Sequence, residues 1–264
     1  MPLHMASPDA TRSRIIGRQP VIEALERTPA AIDKVMLRHA LSGPDADAVR
    51  SLAEAASVPV QYVPQKRLDH EADGAAHQGM VAWGAPVSYL TVNALMEQVA
   101  PTWDDVQAQK PLLLVIDHVT DTRNFGAMLR CAVAAGVDGV IVPNSGMAPL
   151  TTPAIKASAG TALRIPIARC SDLSETLISL KERSYWIVGA QQSQSASMWD
   201  TDWDRPIALV MGSEGSGLSR SVATACDTFA RIPMRGPADS LNVSVATGIL
   251  LTEATKPRVA AEAA

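Results

Sequence analysis

The stretch PLLLVID at 111–117 runs through an unbroken series of aliphatic residues and stops at an aspartate. A strand with one wet face alternates apolar and polar residues. A continuous run of this length is instead a strand covered on both faces, as in a parallel sheet. The pattern returns as DGVIVP (138–143), SYWIVGA (184–190) and PIALVMG (206–212), with FARIPM (229–234) after it. Helical stretches separate them, one over about 124–136 and one at SETLISLKER (174–183). Strands alternating with helices predict an α/β fold with an open, mostly parallel sheet. In such sheets ligands sit beyond the carboxyl ends of the strands. The longest apolar run is far too short for a membrane span.

Upstream, residues 15–88 read as a separate small α/β domain. Strands IDKVMLRH and VPVQYVP flank a helix at DADAVRSLAEAA, a short helix PVIEALER precedes them, and HQGMVAWGAPV closes the unit with a strand. Residues 1–14 are polar, lack the apolar core of a signal peptide and read as a flexible leader. Residues 89–110 carry a weak helix (TVNALMEQVA) and a polar stretch (PTWDDVQAQK), and read as a linker to a domain at 111–264. Hydrophobic residues make up 47%, enough for a real core, and the net charge of −4 argues against a general cationic coat without excluding a local basic patch. The cysteines, Cys131, Cys170 and Cys226, have no C-x-x-C spacing, so no disulfide framework and no metal site is expected. A cytoplasmic protein fits these features.

Unusual residues gather in three loops. In DHVTDTRNFGAMLRCAVAAG (117–136), Asn124 opens a helix as a cap or as something more. Gly126 weakens that first turn unless a backbone or a ligand comes close. Arg130 is the only charge from 124 to 136, which implies a buried cation needing a partner or a substrate anion. In IALVMGSEGSGLSR (207–220) a dinucleotide fingerprint fails, because G-x-G-x-x-G counted from Gly215 ends on Arg220, and no G-K-[ST] follows. Glu214 would repel a pyrophosphate, so the loop better suits a ligand bearing positive charge or hydroxyls. In FARIPMRGPADSLNVSVATGILL, Asp239 or Ser240 serves as a helix cap, which leaves Asn242 and Ser244 within an apolar helix. Each loop also has a purely structural reading, as a cap, a tight turn or a satisfied backbone. Together they point to a composite site for a polar small molecule.

These segments, DTRNFGAMLRCAVAAG, MGSEGSGLS and IPMRGPADSLNVSVATGILL, resemble in order and spacing the three motifs of the SpoU (TrmH-type) RNA ribose 2′-O-methyltransferases of the SPOUT superfamily. The resemblance spans roughly 110–255. Residues 15–85, with IIGRQPVIEAL and HQGMVAWGAP, more loosely resemble the L30e-like substrate-binding domain of the branch acting on ribosomal RNA. Thr122 stands where the family usually has proline.

The resemblance implies a C-terminal trefoil knot that gathers 187–192, 211–217 and 232–243 around S-adenosyl-L-methionine. Ala190, Gly212, Gly217, Ile232, Met234, Leu241 and Val243 are its expected contacts. It implies a homodimer with helices of the knot at the interface, and catalytic roles for Asn124, Arg130, Glu214, Ser240 and Asn242. The family often casts the arginine as proton acceptor. A guanidinium has no acceptor lone pair and a pKa above about 12, so Arg130 is expected to stabilise the developing alkoxide and grip a phosphate. The proton would leave to water or a phosphate oxygen. RNA contacts are expected from Arg12, Arg14, Arg18, Lys66 and Arg67 in the first domain. The implied substrate is a guanosine of large-subunit ribosomal RNA. Alternatives are tRNA, an rRNA adenosine, or a non-catalytic ribosome-assembly factor; the failed fingerprint weakens an oxidoreductase.

Overall fold

A computed structural model of the chain describes residues 14–84, 89–150, 152–192, 196–237 and 239–262. The chain forms two compact units, one up to Tyr89 and one from Leu90 to Ala264 apart from Leu150–Thr152.

The first unit runs β1 (Arg14–Ile16), α1 (Arg18–Arg27), β2 (Ile32–Arg38), α2 (Pro44–Ala55), β3 (Val60–Val63), α3 (Gln65–Ala72) and β4 (Met80–Gly84). Its sheet has the order β1-β4-β2-β3. β4 is antiparallel to both neighbours, and β2 and β3 are parallel. Side chains of β2 alternate between the faces. Val35 and Leu37 pack with Val21 and Leu25 of α1 and Val49 of α2, whereas Met36 packs with Leu68 and Ala72 of α3. Helix α3 (QKRLDHEA) escapes a sequence reading because its only buried apolar groups are Leu68 and Ala72, one turn apart.

The second unit runs β5 (Leu90–Thr91), α4 (Val92–Val99), α5 (Trp103–Gln109), β6 (Leu112–Ile116), α6 (Thr122–Ala134), β7 (Gly139–Pro143), α7 (Thr152–Ala157), β8 (Ile167–Cys170), α8 (Leu173–Glu182), β9 (Trp186–Ala190), β10 (Ala196–Ser197), β11 (Ile207–Met211), α9 (Arg220–Ala225), β12 (Thr228–Arg231) and α10 (Val243–Glu262). The sheet order is β10-β12-β9-β11-β6-β7-β8-β5, with every pair parallel. The expected mostly parallel α/β sheet is therefore present, and every residue of β6, β7 and β11 is buried.

The expected linker at 89–110 is not a plain connection. Leu95, Met96, Ala100 and Val106 join the core of the second unit with Leu113, Leu177 and Ile187. The polar stretch after them is α5, closed at its start by a reciprocal capping box between Thr102 and Asp105. Helices α6 and α10 pack on each other. Gly126 answers to a backbone: a Cβ there would lie 2.2 Å from the carbonyl oxygen of Ala154 and 2.8 Å from the Ala157 Cβ. Arg258 of α10 spreads its guanidinium over the carbonyls of Lys110, Trp203, Arg205 and Ala254. Among the described residues no helix is long and apolar enough to cross a membrane.

Candidate active site

Strands β9, β11 and β12 lie near one another and point the same way, so their carboxyl ends open on one side of the sheet. A cavity of about 300 Å³ lies there. Its walls come from Ala190 and Gln191 at the end of β9, from Gly212, Glu214 and Gly217 after β11, from Ile232 after β12, and from Leu241, Val243 and Ala246 around the start of α10.

The glycine loop is tight for a local reason. Ser213 and Gly217 exchange backbone hydrogen bonds of 3.0 Å each, and the hydroxyls of Ser213 and Ser216 meet at 2.6 Å. Gly217 turns with φ +66°, in the left-handed region that favours glycine. Gly212 lies beneath the closing bond: a Cβ would fall 2.2 Å from the Gly217 carbonyl carbon and 2.5 Å from the Leu218 nitrogen.

Asp117, completely buried at the end of β6, ties this loop to the first one. Its N–H donates to the Met211 carbonyl over 2.8 Å, and its Oδ2 accepts the Ser219 N–H over 2.6 Å. The other oxygen, Oδ1, meets Nδ1 of His118. Sequence reasoning passed over Asp117; an acidic residue closing a fully apolar strand was the available signal.

At the rim of the cavity the three loops meet. Glu214 Oε1 accepts from Asn124 Nδ2 over 2.8 Å, from Asn242 Nδ2 over 2.5 Å and from the Val243 N–H over 3.4 Å. Asn242 Nδ2 also reaches Asn124 Oδ1 at 3.0 Å. Residues separated by 90 and 118 positions thus share one hydrogen-bonded cluster.

The helix starts differ from expectation. Asp121, not Asn124, caps α6: its Oδ1 accepts the N–H groups of Arg123 and Asn124, which frees the Asn124 side chain for Glu214. On α10 the expected caps Asp239 and Ser240 lie before the helix, and Asn242 Oδ1 accepts from the Ser244 N–H at 3.0 Å and from its hydroxyl.

Of the residues expected around a cofactor, Ala190, Gly212, Gly217, Ile232, Leu241 and Val243 line the cavity, as do Glu214 and Ser240; Met234 does not. Gln192, not anticipated, also lines it and donates from Nε2 to the Ile232 carbonyl at 3.0 Å. Arg130 requires correction. It is exposed, not buried, and is not among the lining residues. Helix α6 buries Phe125, Gly126, Met128, Leu129 and Ala132, and Arg130 falls on the opposite side with Arg123. Alanines had made the helix look apolar all round.

In the first unit Arg14 is engaged rather than free, with its guanidinium 4.9 Å from the Trp83 ring centroid and donating to the Glu71 carbonyl. Arg18 pairs with Asp45 and Arg67 with Glu71; Lys66 is exposed; Arg12 lies outside the described residues. The cysteines are packing groups: burial pushes the thiol of Cys170 up to about 11 and that of Cys226 up to about 12. Among the described residues no group of three or more side chains could hold a metal ion.

Comparison with known proteins agrees with this geometry. Residues 111–252 match the SpoU rRNA Methylase family, and residues 14–90 match the family described as RNA 2′-O ribose methyltransferase substrate binding. The chain is 38% identical to the 23S rRNA (guanosine-2′-O-)-methyltransferase RlmB of Escherichia coli, over 92% of this chain and 98% of that one. It is 37% identical to RlmB of Vibrio parahaemolyticus, over 94% and 98%. Among solved structures it resembles an AdoMet-bound rRNA methyltransferase from Sinorhizobium meliloti, with a TM-score of 0.57 and 26% identity, covering 94% of this chain and 88% of that one.

Proposed function

The chain belongs to the SpoU rRNA methylase family and is an RNA ribose 2′-O-methyltransferase, and on that premise we propose that it methylates a guanosine of large-subunit ribosomal RNA. The methyl donor is S-adenosyl-L-methionine. The observation that carries the reading is the meeting of Asn124, Glu214 and Asn242 at the rim of the cavity. Two relatives that share nearly their whole length with this chain are named for that rRNA reaction, which supports the choice of substrate.

The cavity suits the methyl donor by its chemistry. Apolar and small walls at Ala190, Ile232, Leu241 and Ala246 accommodate a flat adenine, and the glycine loop offers backbone polar groups at the rim. When bound, the donor supplies a methyl group on a cationic sulfur. Gly212, Gly217, Ile232 and Leu241 would hold it. Asn124 and Asn242 would orient the ribose through the cluster they form with Glu214, so that the hydroxyl is aligned before reaction. Ser240 lines the same cavity and would contact the bound molecules. We assign the exposed Arg130 to a phosphate of the RNA, and Lys66 with the paired Arg14, Arg18 and Arg67 to further RNA contacts of the first unit. A ribosomal RNA substrate makes the protein cytoplasmic in this reading.

Incubating the protein with labelled S-adenosylmethionine and unmodified ribosomal RNA should label the ribose of one guanosine in the large-subunit RNA, read by nuclease mapping. In the same assay Arg130→Ala should raise the KM for RNA more than it lowers kcat. Label on tRNA alone or on an adenosine would replace the substrate; donor binding without transfer would make the protein a non-catalytic RNA binder.

The reading includes a homodimer and a knotted C-terminus. Support for the dimer comes from an open cleft of about 600 Å³ along α10, lined by Cys131, Met198, Val245 and Ile249, with Val245 50% exposed. A second copy would cover this apolar strip. Support for the knot comes from Ile232, Ser240 and Leu241, which share the cavity with the ends of β9 and β11 before the chain enters α10. Sedimentation should give a dimer for the wild type and a monomer for Val245→Glu. A wild type that stays monomeric at micromolar concentration ends the dimer reading.

A further inference from the structure

We propose that Glu214 takes the proton of the ribose 2′-hydroxyl through its Oε2 atom. The inference rests on the methyl-transfer reading above and adds where the proton goes. Oε1 is committed to three donors, from Asn124, Asn242 and Val243. Among the described residues nothing donates to Oε2. An ionised carboxylate accepts through both oxygens, so holding one from three sides fixes the direction of the other. Glu214 both lines the cavity and is exposed to solvent. Oε2 is thus the carboxylate oxygen left without a donor, on a side chain that meets both the cavity and solvent.

The neighbouring groups are poorer acceptors. Asn124 Oδ1 is held by Asn242 Nδ2, and Asn242 Oδ1 by Ser244. Amide oxygens are weak bases in any case. The Arg130 guanidinium has no lone pair to offer and lies on an exposed helix face outside the cavity lining.

A carboxylate is also chemically sufficient. The ribose oxygen gives an electron pair to the incoming methyl carbon, and the pair that bound that carbon stays with the departing sulfur. As the new bond forms, the hydroxyl proton becomes strongly acidic. The O–H bond breaks, its pair remains on the ribose oxygen, and the proton ends on Oε2. It passes to water once the product leaves. A strong base is not required, only a positioned acceptor with a free lone pair.

Two variants test this. In Glu214→Gln the amide oxygen can face the two asparagines, which leaves an NH₂ donor where an acceptor is needed. Single-turnover methyl transfer should fall by roughly 10²–10⁴, while affinity for S-adenosylmethionine by calorimetry stays within about threefold. The second measurement needs no methyl donor. A synthetic oligoribonucleotide spanning the mapped target is compared with the same strand carrying a 2′-deoxy target. Wild type should prefer the hydroxyl by roughly fivefold to tenfold, and Glu214→Ala should lose that preference. If the glutamine variant also loses donor binding, the deoxy comparison decides. Undiminished turnover in Glu214→Gln, or an unchanged preference in Glu214→Ala, overturns the proposal. A wild type that transfers no methyl group at all overturns the underlying reading instead.

Discussion

Replacing Gly212 with alanine should lower the affinity for S-adenosylmethionine by on the order of 10- to 100-fold, corresponding to about 1–3 kcal/mol of overpacking strain. The added methyl would sit 2.2 Å from the Gly217 carbonyl carbon, 2.3 Å from its oxygen and 2.5 Å from the Leu218 nitrogen. All three are backbone atoms, so no side chain can swing aside. The bond pair between Ser213 and Gly217 would have to open, and with it the wall that carries Glu214. Gly215 is the control. Nothing lies within 4 Å of a Cβ built there, so Gly215→Ala should bind within about threefold of wild type. Calorimetric titration of both variants checks the contrast. Equal affinities would mean that the loop is soft and does not shape the pocket.

Arg258→Ala should destabilise the chain by about 3–4 kcal/mol, because hydrogen bonds from a charged donor contribute about 1.5–3 kcal/mol each and the abandoned carbonyls are only partly re-solvated. The guanidinium reaches Lys110 O from Nε at 3.2 Å and from Nη2 at 2.9 Å, Arg205 O at 2.9 Å, Trp203 O at 3.0 Å and Ala254 O at 2.6 Å. The segments so joined lead into β6 and β11, two strands whose far ends carry the site. In a domain of this size the loss should lower the melting temperature by roughly 6–16 °C. Arg258→Lys should recover less than half of it, since one ammonium cannot span four separated carbonyls. Differential scanning calorimetry reads both. A melting point unchanged in Arg258→Ala would show that the carbonyls are satisfied without the fork.

The parallel sheet was legible because a strand buried on both faces writes itself as an unbroken aliphatic run, as β6, β7 and β11 do. The two-residue strands β5 and β10 are too short to carry any periodicity. Helices α3 and α5 are polar sequences whose few apolar residues matter only once a neighbour covers them. Alanine is indifferent to burial, so an alanine-rich helix hides which face is wet; that is how Arg130 came to be expected inside. In the site, the residue types of the three loops were readable, but not which cap belonged to which helix. Asp121 and Asn242 take those parts through local bonds, while the side-chain amides of Asn124 and Asn242 are directed by Glu214, far away in sequence.

Asn242 illustrates what that arrangement demands. Its amide nitrogen serves Glu214 and Asn124 while its amide oxygen starts α10. Aspartate would still begin the helix, but it would set one anion against another over 2.5 Å. Serine or threonine would begin it and leave Glu214 without that donor. Among the side chains that favour a helix start, only asparagine meets both demands at once.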